Sequence, residues 1–474
     1  MKLTIIGAAG VRTPLVLQSI IARQHKVGLS ELALMDVDAR RLELMRGLCE
    51  ALIGKDNFGF KITWTQDARS AIRGADYVIT TFRVGGMESR VIDEQAPLQY
   101  GVLGQETTGP GGFAMALRTI PVMLDYVKIV REEAPDAWLL NFTNPAGIIT
   151  EAIINVGNYR RAIGICDNPP SMWRTGAAWL NLVPSNLLVE YFGLNHLGWA
   201  QAVYHNGQDR LPELIEFIES HSGDNLPGLP FEPGYIRMLG MVPNEYNYFY
   251  TNTRQVMENL KRAGQSRAQQ IMPFNVELYE TLDQLSQEGA SNERMDAAYL
   301  TYLARRDETY MSIETGHKHT QLPSPEKNLS RIEASAEGYS GVALGVIESL
   351  HNPAGGLSIL NVSNQGAIQG MRADDVVEIT CRLGNGVIHP LVVGAIPDHA
   401  LGLMKQVKEY ERLTIQAAVE GSYDLALKAL TLHPLVPSLS IARLILDDYC
   451  QQHGEYFPQL KHSRQIIRCL NGTL

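Results

Sequence analysis

Cys166 and His196 are residue types that hold catalytic metals. A thiolate and an imidazole suit divalent transition ions, and a site with few protein ligands leaves positions for substrate oxygens. They stand in Gly164-Ile165-Cys166-Asp167-Asn168-Pro169 and Phe192-Gly193-Leu194-Asn195-His196. Neither spacing is that of a structural zinc site, which needs four close ligands. On residue type alone the pair therefore also fits a small core thiol and a hydrogen-bonded core histidine. Tyr246, Tyr248 and Tyr250 follow Pro243. A tyrosine serves as a base only beside positive charge that lowers its pKa; otherwise it packs with its hydroxyl at the surface. Arg83 and Arg90 flank Gly85-Gly86, as substrate contacts or as surface ion pairs. Asn144 lies in Asn141-Phe142-Thr143-Asn144-Pro145, where amides cap a helix or hold sugar hydroxyls. Glu106 sits in a glycine- and threonine-rich loop, Gly104-Gln105-Glu106-Thr107-Thr108-Gly109-Pro110-Gly111-Gly112, a composition common in functional loops.

A second chemistry is written at the start of the chain. An apolar run at residues 3–6 leads into Gly7-Ala8-Ala9-Gly10-Val11-Arg12, and a helical pattern follows. Glycines there let the backbone approach a pyrophosphate, and the helix N-terminus adds amide donors. Asp36 closes the next apolar run, where an acid can bond a ribose hydroxyl. Only two of the usual three glycines are present, so the loop alone is equally an ordinary tight turn; its place between strand and helix makes it a dinucleotide site.

These residues need a scaffold. Apolar runs at 3–6, 32–35, 60–64, 77–81, 137–141 and 162–165 alternate with helical periodicity at 15–23, 39–52 and 113–131. Strand–helix alternation predicts a Rossmann-type, doubly wound parallel sheet over residues 1–170, with ligands at the carboxyl ends of its strands. Residues 171–474 mix patterns: strands at 188–192 and 200–204 with a turn at His205-Asn206-Gly207, a loop over 221–234, a long helix over 254–288, antiparallel strands at 357–362 and 376–381, and helix again over 398–430. This second part reads as an α+β domain for catalysis and oligomerisation. Residues 311–332 are polar without clear period, a candidate lid.

Composition narrows the partners. The 474 residues are 45 % hydrophobic and 19 % charged, enough for a large core, and the formal charge is −10. No long basic run exists, which argues against nucleic acid and anionic membranes. Five cysteines without framework spacing point to a reducing compartment. No signal-like start and no membrane-length apolar window appear, so a cytoplasmic location is expected.

Taken together and in order, the motifs resemble the family 4 glycoside hydrolases, and within them the branch that acts on 6-phospho-β-glucosides. The resemblance runs over nearly the whole chain. It rests on residues 7–12, Phe82-Arg83-Val84-Gly85-Gly86 with Arg90, residues 104–112 with Leu117-Arg118-Thr119-Ile120-Pro121, residues 141–145, Cys166, residues 193–196 and 243–250, Ser266-Arg267-Ala268, Tyr410-Glu411-Arg412-Leu413-Thr414 and residues 425–430. It implies a lactate/malate-dehydrogenase-like architecture, bound NAD, Mn²⁺ or another divalent ion, and a homodimer or homotetramer.

By family position, Cys166 and His196 correspond to the metal ligands and Tyr246 to the base that takes the C2 proton. Glu106 corresponds to a group that raises that tyrosine's basicity. Asp167 matches the proton donor of the 6-phospho-α-glucosidase branch, and Arg90, Asn144 and Arg267 match substrate-binding positions. The implied reaction is oxidation at C3 by NAD, deprotonation at C2, elimination of the O1 group, addition of water and return of the hydride, on a glycoside or phosphoglycoside. Such enzymes are an exception to the usual two-carboxylate scheme. Asp167, and a Ser335-Ala336-Glu337-Gly338-Tyr339-Ser340 segment that departs from the family's pattern, keep an α-linked or non-phosphorylated sugar as the alternative. An NAD-dependent hydroxy-acid or sugar dehydrogenase is the further one.

Overall fold

The structure, a computed structural model, describes residues 1–54, 59–221, 229–316 and 341–462. Six strands, β1 (Lys2–Ile6), β2 (Glu31–Met35), β3 (Lys61–Thr65), β4 (Tyr77–Thr80), β5 (Trp138–Asn141) and β6 (Ala162–Gly164), pair in parallel in the order β3-β2-β1-β4-β5-β6. Helices cover the sheet, so its central strands are apolar on both faces, and Leu3, Ile6, Leu32, Leu34 and Val78 are fully buried. Strand order reverses between β1 and β4, which opens a crevice at their carboxyl ends. This is the doubly wound topology expected from the alternation of runs.

A smaller sheet is built from β7 (Leu187–Leu194), β8 (Leu197–His205), β9 (Gln208–Asp209) and β10 (Val242–Pro243). The first sheet then continues: β11 (Gly356–Ser363) adds antiparallel to β6, followed by β12 (Val376–Gly384) and β13 (Val387–Pro390), which makes nine strands. Late sequence thus completes the sheet begun by residue 2. Thr380 of β12 ties the two sheets together, since its hydroxyl donates to Val189 O at 2.6 Å and accepts from Tyr191 N–H at 3.3 Å.

The expected long helix over 254–288 is two helices, Thr253–Ala263 and Arg267–Gln287. Gly264, at φ 67°, ends the first, and a capping box of Ser266 with Gln269 starts the second. Arg267 is thereby a first-turn residue at the mouth of the crevice. The helix expected over 398–430 is likewise broken at Gly421, φ 64°, into Asp398–Glu420 and Tyr423–Leu432. The expected loop over 221–234 gives way to a helix at Pro233–Leu239, and the start of the candidate lid carries a short helix, Ser312–Thr315. Residues 222–228 and 317–340, including most of that lid and the 335–340 segment, lie outside the described residues.

The helix Pro110–Glu133 lines the sheet and carries one buried charge. Both guanidinium nitrogens of Arg118 donate to Asp93, at 2.6 and 2.5 Å, and His453 and the hydroxyl of Tyr449 close around the same residue. Asp93→Ala leaves the Arg118 cation buried without its counter-charge. It is expected to cost about 3–5 kcal/mol of stability, read as a lowered urea midpoint at unchanged slope.

Candidate active site

The crevice widens into a cleft of about 1020 Å³ that runs from the first glycine loop to the β7–β8 turn. At one end, Gly7 has φ 99°, and a Cβ there would sit 2.6 Å from the backbone carbonyl of Thr81. Only glycine lets β1 turn this close to the end of β4. Gly7→Ala is expected to destabilise the fold by about 1–3 kcal/mol and to weaken NAD binding. A denaturant melt and a fluorescence titration with NAD read the two effects.

The loop is held open from outside: Tyr279 donates to Ala9 O and Tyr299 to Val11 O, each at 2.8 Å. Asp36 accepts the Ala9 N–H at 2.9 Å on one oxygen and the Asp38 N–H at 3.0 Å on the other. It lines the cleft with Gly7, Ala9, Gly10, Val11 and Arg12. Ala8 does not, contrary to expectation: it is fully buried and its N–H goes to Met35 O at 3.0 Å.

At the other end, Cys166 follows β6 and His196 sits in the β7–β8 turn at φ 64°, a left-handed conformation that a non-glycine residue holds only when its surroundings enforce it. Their Sγ and Nε2 atoms are 3.6 Å apart. One ion about 2.3 Å from the sulfur and about 2.1 Å from the nitrogen fits that gap at a near-tetrahedral angle.

The proton on His196 can be placed. Gln105 Oε1 accepts from the backbone of Thr107 and Thr108 and from the Thr107 hydroxyl. With its hydrogen so engaged, Thr107 Oγ1 accepts from His196 Nδ1–H at 2.8 Å, and the Nε2 lone pair faces Cys166. Burial lowers the imidazole pKa to about 4, so the ring stays a neutral ligand, while burial raises the Cys166 thiol. Gly112 permits this arrangement, because a Cβ there would lie 2.4 Å from Thr107 O. Among the described residues no group of three or more His, Cys, Asp or Glu side chains gathers as a cage. The donor set therefore fits an open cation site.

The ring of Tyr246 stacks on His196 at 3.8 Å between centroids and 7° between planes. Burial, with Glu245 and Glu106 adding negative charge, raises its pKa. Tyr248 and Tyr250 turn away: Tyr248 packs against Phe231 in the smaller core, and Tyr250 lies beside His433. Glu106 accepts from Arg83 at 2.6 Å and pairs with Arg90 at 3.0 Å, although burial opposes its charge; the two guanidiniums hold it down at about 2. Arg90 is itself buried and also donates to Glu94 at 2.8 Å, so the ion pairs are internal, not superficial. Arg267 lines the cleft with its guanidinium fixed by Gln270, Thr309 and Arg306 O. Asn144 accepts the Ala146 N–H at 3.3 Å just ahead of the next helix, whose N-cap is Pro145, and also lines the cleft. Asp167 is half-exposed and pairs with Arg12 at 3.4 Å, which joins the two ends of the cleft.

Two residues that line the cleft, Arg306 and Tyr310, and the buried Glu245 have no sequence signal of their own. Arg306 donates to Tyr302 Oη at 2.8 Å and forms no carboxylate ion pair among the described residues. Glu245, pushed up to about 7 by burial, accepts from Tyr310 and Asn168 at 2.5 Å each.

Comparison with known proteins agrees with this architecture. The chain belongs to family 4 of the glycosyl hydrolases: the family's model matches residues 2–181 and the model of its C-terminal domain matches residues 191–436. A probable 6-phospho-beta-glucosidase of Bacillus subtilis is 32 % identical, over 97 % of this chain and 98 % of its own. The 6-phospho-beta-glucosidase of Escherichia coli is 33 % identical, over 97 % and 96 %. The structure of the 6-phospho-beta glucosidase from Thermotoga maritima with manganese, NAD⁺ and glucose-6-phosphate superposes with a TM-score of 0.81 at 29 % identity, covering 97 % of this chain and all of that one.

Proposed function

We propose that this protein hydrolyses 6-phospho-β-glucosides with NAD and a divalent cation such as Mn²⁺. The observation that carries the reading is the 3.6 Å approach of Cys166 Sγ to His196 Nε2, with Tyr246 stacked on the imidazole, in the cleft that the Gly7 loop opens. When bound, NAD supplies reversible hydride acceptance from C3, and the cation polarises the resulting carbonyl.

The chain's own residues do the rest. The Gly7 loop and Asp36 bind the dinucleotide. Cys166 and His196 hold the cation while leaving positions for sugar oxygens. Tyr246 takes the C2 proton; nearby Glu106 makes the phenolate more basic, and the cation's charge makes it accessible. Asp167, beside the cation ligands and half-exposed, is suited to hand a proton to the departing O1. Arg90, Asn144 and Arg267 orient the substrate, and Arg83 holds Glu106. These three arginines and Arg306 are four of the six that line a cleft a 6-phosphate would enter, in a chain whose net charge is negative. The protein works on a small molecule, in the cytoplasm and as a homo-oligomer; no helix among the described residues is long and apolar enough to cross a membrane.

The test is turnover of p-nitrophenyl α- and β-glucosides, with and without 6-phosphate, in NAD, Mn²⁺ and reductant. The β-linked phosphate is the expected substrate, and its product formed in D₂O carries deuterium at C2. A product that keeps all its C2 hydrogen rules the mechanism out.

A further inference from the structure

Glu378, on β12, is fully buried, and both its oxygens are occupied. Oε1 accepts from Asn195 Nδ2 at 3.0 Å and from Asn361 Nδ2 at 2.9 Å, and Oε2 accepts from the Tyr191 hydroxyl at 3.2 Å. Each partner leads to a different part of the candidate site. Asn195 immediately precedes His196 in the β7–β8 turn. Asn361 pairs across the sheet with Gly164, two residues before Cys166. Tyr191 accepts from Asn244 Nδ2 at 3.1 Å, and Asn244 Oδ1 in turn accepts the Tyr246 N–H at 3.0 Å.

Both Glu378 oxygens accept from N–H or O–H donors, and these three bonds work against a burial that pushes the carboxyl up to about 7. The Asn195 amide thereby turns its nitrogen, and not its oxygen, toward Glu378, which fixes the residue next to His196.

We propose that Glu378 is a positioning residue for the cation centre, fixing Asn195 beside His196 and Asn361 against the strand that leads to Cys166. This rests on the reading of Cys166 and His196 as cation ligands. Glu378 does not line the cleft; it acts through Asn195 and Asn361.

The test is Mn²⁺ affinity of the NAD-bound full chain, followed by the electron paramagnetic resonance signal of free Mn²⁺, with NAD affinity measured alongside. Asn195→Ala is expected to weaken Mn²⁺ binding by about 10–100-fold, and Glu378→Leu by at least as much. Glu378→Gln, which keeps an acceptor oxygen for Asn195, loses less. The double variant Glu378→Leu/Asn195→Ala binds no more weakly than Glu378→Leu, since the two act in one line. NAD affinity holds throughout. Wild-type Mn²⁺ affinity in Asn195→Ala or in Glu378→Leu overturns the proposal, as does a double variant whose loss is the product of the two. Should Glu378→Leu not fold, Asn195→Ala and Glu378→Gln decide it: equal wild-type affinities overturn it. Cys166→Ser separates the two levels. If that variant keeps Mn²⁺, the cation reading and this one fall together; if it loses Mn²⁺ while Asn195→Ala keeps it, only the role of Glu378 falls.

Discussion

Cys166→Ser is expected to lower kcat by about a thousandfold or more. The substitution keeps the side chain's size, so the fold and the β6 terminus survive. It replaces a soft ligand that ionises on binding a cation with a hydroxyl that does not. With His196 as the remaining protein donor in the pair, the cation is lost or displaced. Lewis-acid stabilisation is worth several kcal/mol, and each 1.4 kcal/mol is about tenfold in rate. The check has two parts: kcat on a 6-phospho-β-glucoside, and Mn²⁺ binding beside NAD binding. Turnover and Mn²⁺ affinity should collapse together while NAD affinity stays. Unchanged Mn²⁺ affinity would falsify the assignment of the centre.

Tyr246→Phe should be nearly as damaging for a different reason. The phenyl ring keeps the stack on His196, so the imidazole, the Thr107 bond and the cation site remain. What goes is the oxygen that takes the C2 proton, and with it a rate factor of about 10²–10⁴. The expected signature is a fall in kcat with KM and Mn²⁺ affinity close to wild type. Exchange of the C2 hydrogen with D₂O should slow in parallel. Rapid exchange in the variant would assign the base elsewhere, with Tyr310, which also lines the cleft, as the first candidate.

The fold was largely legible from the chain. Each of the six parallel strands lies within a residue or so of an apolar run, and the inner ones are largely apolar because helices cover both their faces. Two long helices were misread where a glycine in a left-handed turn interrupts a continuing periodicity, at Gly264 and Gly421. The motif at Ser266-Arg267-Ala268 held the clue, since Ser266 with Gln269 is a capping box.

The site divides the same way. Residues on loops that follow strands, such as Gly7, Asp36, Asn144 and Cys166, could be placed from sequence because topology sends strand ends to one crevice. Glu378 and Arg306 could not. Their types and neighbours are those of an ordinary strand and helix, and only packing between distant segments brings Arg306 to the cleft and Glu378 behind it. The tautomer of His196 was also out of reach, since it is settled by Gln105 and Thr107 from another loop.

The antiparallel extension of the main sheet has one more consequence. β11 takes up the outer edge of β6, so residues 356–363 form part of the wall on which Cys166 is mounted. A fragment ending near residue 170 would keep the glycine loop and Asp36 yet present β6 as a bare edge, open to pairing with another copy. The nucleotide-binding half is therefore not a transplantable cassette. A recombination experiment that swaps the front of this chain onto another family member must carry the 356–390 segment with it, because the seam between cofactor and sugar machinery runs through one hydrogen-bonded sheet and not between two lobes.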